Sequence, residues 1–276
     1  MISNHFDTSF LWSGENFQID KDICVLHPSF GNILDLGANC EKDYNTLLSD
    51  IVSNPYSYAV ELDDDGIDYE KVTPFDVFVW KWESCIELYK KFKEEFDMMK
   101  FSPLDFYNKS LSFWFCGGRF SLIKGESEMC FVDMDNPKRL IGKNTFNKAI
   151  EFIEKMNMVD DHSHEIHPAN KTAKQILLED MRDEKKRREK NRKNDEKKAE
   201  KQTTEGTLAS KINAILTSGS GGVSFDNYKN LSVFAINAMF TSVIKKQRYE
   251  QVMGGVYAGN VKPESVDETL RIWWSV

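Results

Sequence analysis

Two carboxylates one residue apart, Asp133 and Asp135, end a run of β-forming residues in this 276-residue chain. Carboxylates so paired at a strand end can hold two metal ions for phosphoryl transfer. Gly117-Gly118 lies upstream, where such sites carry a glycine pair that opens a helix. Here the spacing is long, Asn136-Pro137 replaces an apolar strand residue, and GGRFSLIKG has the pattern of a hairpin. A second acidic group, Glu61 to Asp68, places Glu61, Asp63 and Asp65 at the first, third and fifth positions of a calcium loop centred on Gly66. The twelfth position must supply a bidentate carboxylate. It is Val72, so the run reads as a solvated acidic turn. His162, His164 and His167 are dense enough for a metal, but they sit in a polar loop with no cysteine nearby.

The five cysteines at 24, 40, 85, 116 and 130 are odd in number and include no C-x-x-C pair. That argues against a disulfide framework or a zinc site, and leaves reduced thiols as the expectation. Nucleophile-elbow, zinc-protease, phosphate-loop and dinucleotide fingerprints are missing from the sequence. No catalytic residue, cofactor or metal is therefore assigned.

The elements that would position these residues follow from periodicity. Phe17–Leu26 alternates around Asp20–Asp22, as in one or two short strands. HPSFGNILDLG stops at Gly37, and Tyr44, Leu47, Leu48, Ile51 and Val52 fall at helical spacing before Asn54-Pro55. Thr73 or Asp76 caps a long helix whose apolar face runs from Phe75 through Phe78, Trp82, Ile86, Tyr89 and Phe92 to Phe96. Ser102-Pro103 opens a short helical turn. From Ser110 to Asp135, glycines divide three β-like runs into an antiparallel meander. Asn144–Asn157 is an amphipathic helix with Phe146, Ile150 and Ile153 inward.

From Pro168 to Gln202 the character changes. The apolar stripe of Ala173, Ile176, Leu177 and Met181 ends, and Ala199 alone is apolar from Arg182 to Gln202. No glycine or proline interrupts the segment, so it predicts a helix that is polar all round: a solvated spacer, a charged contact surface or a frayed linker. Residues 170–201 hold 13 basic and 8 acidic side chains, so the rest of this chain of net charge −8 carries −13. An acidic body argues against broad contact with phosphate backbones. The segment Lys185 to Lys193 has no aromatic residue for base stacking. Beyond it, Thr207–Thr217 is a short helix, SGSGG (218–222) a flexible joint, and Leu231–Ile244 an almost wholly apolar helix that Tyr249–Tyr257 continues. Hydrophobic content of 41 % and aromatic content of 12 % are those of a folded protein. No leader and no membrane span is expected. The fold class expected is α+β, predominantly helical. It comprises an N-terminal mixed domain with a small antiparallel sheet (1–160), a charged connector helix (168–204) and a C-terminal helical module (205–276).

Three segments together carry a resemblance: HPSFGNILDLG, LDDDGIDYEKVTPFDVF, and NLSVFAINAMFTSVIKKQRYEQVMGGVYAGNVKPES with its terminal IWW. They resemble the tail assembly chaperones of tailed phages that infect Gram-positive bacteria. The resemblance implies a non-enzymatic role in the host cytoplasm: binding and solubilising the tape-measure protein during virion morphogenesis. The tail tube subunit is a second partner that it implies, and self-association is compatible with it. Tyr249, Tyr257, Trp273 and Trp274 are the candidate partner-binding residues, since aromatic side chains often anchor interfaces, and core anchoring is the alternative for the two tryptophans. The rival readings are a structural protein of the virion neck or tail, and a metal-dependent nucleotidyltransferase acting through Asp133 and Asp135.

Overall fold

Short polar side chains set the first boundaries. In the computed structural model, which describes residues 7–125, 128–159, 167–199, 206–219, 222–262 and 266 (side chains of the long charged helix to Lys190), Asp7 opens α1 (Thr8–Ser13) by accepting from the Phe10 N–H at 2.8 Å. β1 (Phe17–Gln18) and β2 (Cys24–Val25) pair antiparallel around Asp20, whose carboxylate accepts from the Asp22 and Ile23 N–H groups. Ser29 and Asn32 form a reciprocal capping box at the start of α2 (Phe30–Leu34). There follow α3 (Cys40–Ile51), a 3-10 turn at Pro55–Tyr58 and α4 (Ala59–Asp64).

Both residues proposed from sequence to cap the next helix act together. Thr73 is the N-cap of α5 (Pro74–Lys91), and its N–H and hydroxyl both donate to Asp76 at 2.8 Å. α6 (Lys93–Met99) and α7 (Leu104–Trp114) lead into a three-stranded antiparallel meander of β3 (Phe120–Lys124), β4 (Met129–Asp133) and β5 (Leu140–Ile141). α8 (Lys143–Asn157), α9 (Lys171–Ala199), α10 (Leu208–Ser218), a second 3-10 turn at Tyr228–Asn230 and α11 (Val233–Tyr257) complete the described elements. The protein is α+β and predominantly helical.

The main core forms where α5, α7, α8 and β4 meet. Phe78 lies 5.1 Å from the Phe146 ring and 5.4 Å from Phe131, and all three are fully buried. Each such ring contributes about 2–3 kcal/mol by leaving water. The indole N–H of Trp114 donates to the Leu47 carbonyl at 3.0 Å, fastening α7 to α3. The segment read as a C-terminal module enters the same core: Val233, Phe234 and Ala238 of α11 are buried in it. The junction is sealed by a backbone exchange, Phe30 N–H to Leu231 O at 2.8 Å and Val233 N–H to Pro28 O at 3.0 Å. Glu41 of α3 accepts from the Leu208 and Ala209 N–H groups at 2.8 and 2.9 Å, so a side chain of the N-terminal body caps α10.

Three sequence expectations are corrected. The first β-like run, SLSFWF, is the end of α7, and Ser102-Pro103 opens a helix of 11 residues. Leu111, Trp114 and Phe115 have the i, i+3, i+4 spacing that buries one helical face, although the same short run also alternates. The meander is one segment later than predicted. The long helix breaks at Phe92, and its buried face ends near Ile86, so Tyr89, Phe92 and Phe96 are not core. The charged connector is solvated only in part, for the reason given next.

Candidate functional site

The acidic run and the charged connector, taken separately from the sequence, are partners. Lys174, Leu178, Met181, Arg182 and Lys185 share one face of α9 at helical spacing. Leu178 is buried and Met181 packs with it against the cluster of Ala59, Val60, Leu62 and Tyr69. Around that contact, Arg182 pairs with Asp63 and Asp64, each at 2.7 Å, and Lys185 with Glu61 at 2.6 Å. Lys174 pairs with Asp68 and, at 2.8 Å, with Glu70, while its ammonium stands 4.4 Å above the Tyr69 ring. Hydrogen bonds from Lys174 and Lys71 hold the Asp68 carboxyl down at about 2. The run is thus a docking surface for α9, not a solvated turn. Leu178, rather than Ile176 or Leu177, is the anchor, and Ile176 is 56 % exposed. Further along, Arg188 pairs with Glu184 and Lys186 with Asp183, which spends basic charge within the helix.

Asp133 has a structural role. Its carboxylate accepts from the Asp135 N–H at 3.0 Å and the Arg119 N–H at 3.3 Å, and pairs with Arg139 at 2.6 Å. Burial opposes its charge, but these donors outweigh burial and hold its pKa below the usual carboxylate range. Arg139 also donates to the carbonyls of Gly117 and Phe115. A Cβ on Gly118, at φ 106°, would lie 2.5 Å from the Asp133 carboxylate. The glycine pair is therefore where the chain passes over this ion pair. Asp135 stands outside it at the surface, 3.8 Å from Arg119. Among the described residues, no group of three His, Cys, Asp or Glu side chains has metal-binding spacing. His162 and His164 lie outside the described residues.

Lys81 on α5 is a buried cation that the sequence reading passed over. Its ammonium donates to the Asp50 carbonyl at 3.0 Å and to the Ser53 hydroxyl at 3.1 Å, and it faces the Tyr58 ring at 4.8 Å. Burial lowers its pKa to about 8, against the pull of Asp50. These bonds satisfy the last turn of α3 and the loop after it, so the lysine serves as an internal helix cap. A cleft of about 390 Å³ opens between Tyr56, Tyr69, Thr73, Asn147, Glu151 and His167. The Tyr69 hydroxyl beside it is buried without a hydrogen-bond partner.

A further surface feature among the described residues is apolar. Half-exposed rings run from Tyr89 on α5 to Phe96 on α6 at 6.0 Å, then to Phe101 at 6.1 Å and to Phe106 on α7 at 5.2 Å. On the same three helices and the turn between α5 and α6, Leu88, Phe92, Met98, Met99 and the rung Phe106 are exposed, Met98 by 78 %. Clustered exposed apolar side chains on a soluble surface mark contact sites, and methionine adapts to varied partners. From sequence, Phe92 and Phe96 belong to the apolar face of one long helix. The available signal was the run Met98-Met99-Lys100-Phe101 at the end of a helix.

Of the partner residues named from sequence, Tyr257 is 84 % exposed at the last position of α11, and Tyr249 is half-buried two turns earlier. The buried residues of α11 end at Val243, so its second half extends past the core. Gly255 lets the chain fold back there: a Cβ would lie 2.9 Å from Val261. Trp273 and Trp274 lie outside the described residues. No helix among the described residues is long and apolar enough to cross a membrane. Comparison of the chain with protein-family models, with curated proteins and with solved structures finds no match in any of the three.

Proposed function

We propose that this protein is a non-enzymatic assembly chaperone that binds an apolar helical client, in keeping with the resemblance to phage tail assembly chaperones. The observation that carries the reading is the half-exposed ladder Tyr89–Phe96–Phe101–Phe106, together with Met98 and Met99 exposed on the helix that carries Phe96. A tape-measure protein exposes long apolar helical stripes before the tail tube encloses it, and such stripes aggregate. An aromatic and methionine surface receives an amphipathic helix through anchors spaced i, i+3, i+4 and i+7. The acidic balance of the body keeps such a complex soluble. The far half of α11, with Tyr249 and Tyr257, supplies a second contact surface that suits the tail tube subunit. Many copies along one client would add avidity to weak individual contacts.

Co-expression tests the reading. The tape-measure protein of the same phage should move from the insoluble to the soluble fraction when this chain is present. The charge-bearing variant Met98→Glu/Phe106→Glu should fail to rescue it while folding normally, since both side chains are exposed. Rescue that persists with the double variant removes the surface from the account. Stoichiometric incorporation of the chain into finished particles would favour a structural protein of the neck or tail instead.

A further inference from the structure

Carboxylates and phenol rings line one cleft. Asn147, Ile150, Glu151 and Glu154 are spaced to share a face of α8, and all four line the cleft of about 390 Å³ beside Tyr69. Asn147 accepts from the Phe75 N–H at 3.1 Å and Lys143 pairs with Asp76 at 2.7 Å, so α8 is fastened to the first turn of α5. The other lining comes from the 3-10 turn, with Tyr56, and from the segment Tyr69 to Pro74. The Tyr56 and Tyr69 rings meet edge to face at 6.1 Å. Among the described residues that line the cleft, Glu70, Glu151 and Glu154 are carboxylates and none is Lys or Arg. Its volume is that of a small-molecule site.

We propose that this cleft binds an alkylammonium, with its charged head at Glu151 and Glu154 and its apolar stem along Tyr56, Val72 and Ile150. Three observations carry it. First, the lining combines negative charge with apolar and aromatic surface, which suits a cation on a hydrocarbon stem and repels an anion. Second, the same wall already holds one ammonium of the protein: Lys174 stands 4.4 Å above the Tyr69 ring and pairs with Glu70 at 2.8 Å. Third, Tyr69 is 5 % exposed and its hydroxyl has no hydrogen-bond partner. Buried hydroxyls ordinarily have one, and a ligand N–H would supply a donor. Glu151 also meets Lys155 at 2.8 Å, but both side chains are about half exposed. Such an i,i+4 pair is weak, and a carboxylate accepts from several donors at once.

The test titrates the full chain with cadaverine, a linear diamine, by isothermal calorimetry at low salt. Saturation-transfer NMR reports which ligand protons touch the protein. The expected result is one saturable site with a Kd below about 1 mM and transfer strongest at the methylenes. Glu151→Gln/Glu154→Gln should weaken binding at least tenfold. Glu151 is exposed and Glu154 half-buried, so the core face of α8 is kept in that variant. Tyr69→Phe should weaken binding without lowering Tm. Glu87→Gln, which neutralises an exposed carboxylate of α5 outside the lining, should leave it unchanged. Nα-acetyl-lysinamide separates the two sources of the same chemistry. Tighter binding of cadaverine assigns the site to a free amine, and tighter binding of the blocked lysine assigns it to a lysine side chain of another protein. Equal binding of 1-pentanol and cadaverine would overturn the proposal. So would the lack of a saturable site, or unchanged affinity in both the double glutamate variant and Tyr69→Phe.

Discussion

At the scale of single residues, side chains that look chemical in the sequence are used to hold backbone. Asp133 and Arg139 brace the turn at Gly117-Gly118, where a Cβ on Gly118 would meet both partners under 3 Å. Gly118→Ala should cost about 2–4 kcal/mol by denaturant unfolding, whereas Gly117→Ala, with open space around it, pays only for its own positive φ and should cost less. Lys81 makes a pH-dependent prediction. Its folded pKa of about 8 lies below the usual lysine value near 10.4, so the unfolded chain binds more protons between these limits. Stability should therefore rise with pH from about 8 to 10, and the rise should vanish in Lys81→Met. Above pH 10 the trend reverses, because burial raises the pKa values of Tyr44 and Tyr107 and keeps them protonated in the fold. None of this was legible beforehand. A D-x-D pair and a lysine on an apolar helical face carry no mark of their partners, which come from elements elsewhere in the chain: Arg139 from the turn before β5 and Asp50 from α3.

At the scale of elements, the sequence revealed what short-range periodicity and capping encode. The α3, α5, α8, α10 and α11 helices, the β1–β2 hairpin and the N-cap of α5 were readable because each is set by residues within a few positions. The misplaced strand was not, because SLSFWF satisfies periods of 2 and 3.6 equally well over so few residues. The docking of α9 was hidden for a different reason. The helix and the acidic run each looked solvated, and only their mutual contact gives either an inner face. That contact is mainly ionic around one buried leucine, so it should yield to salt. Hydrogen exchange of the α9 amides should quicken at 1 M NaCl relative to 50 mM, and Leu178→Asp should give the fast rate at both. Acid should do the same. Asp68 titrates at about 2 when docked and near 4 when free, so its share of the docking is complete above pH 4 and is lost as pH falls towards 2. Unchanged protection of Lys174–Lys185 at high salt and at pH 2 would mean that packing alone holds α9. At the other junction, Glu41→Ala removes two charge-assisted bonds at the start of α10 and should destabilise the protein by about 1–2 kcal/mol.

At the scale of the whole molecule, one core joins the N-terminal body to α11, while among the described residues the aromatic ladder on α5–α7, residues 183–190 of α9 and the far half of α11 face outwards. The first was absent from the sequence reading because helical spacing alone cannot tell a buried face from one awaiting a partner. Tyr257 was named in advance and is exposed; the terminal tryptophans lie outside the described residues. The proposal that these surfaces receive an apolar helical client is tested most directly by affinity capture. Wild-type chain and Met98→Glu/Phe106→Glu would be captured from infected cells, with protein abundance measured by mass spectrometry beside the proteome of purified virions. The account predicts that the tape-measure protein co-purifies with the wild type, is reduced at least tenfold with the double variant, and that the chain itself is absent from virions. Equal recovery by both forms, or the chain present stoichiometrically in virions, would contradict it.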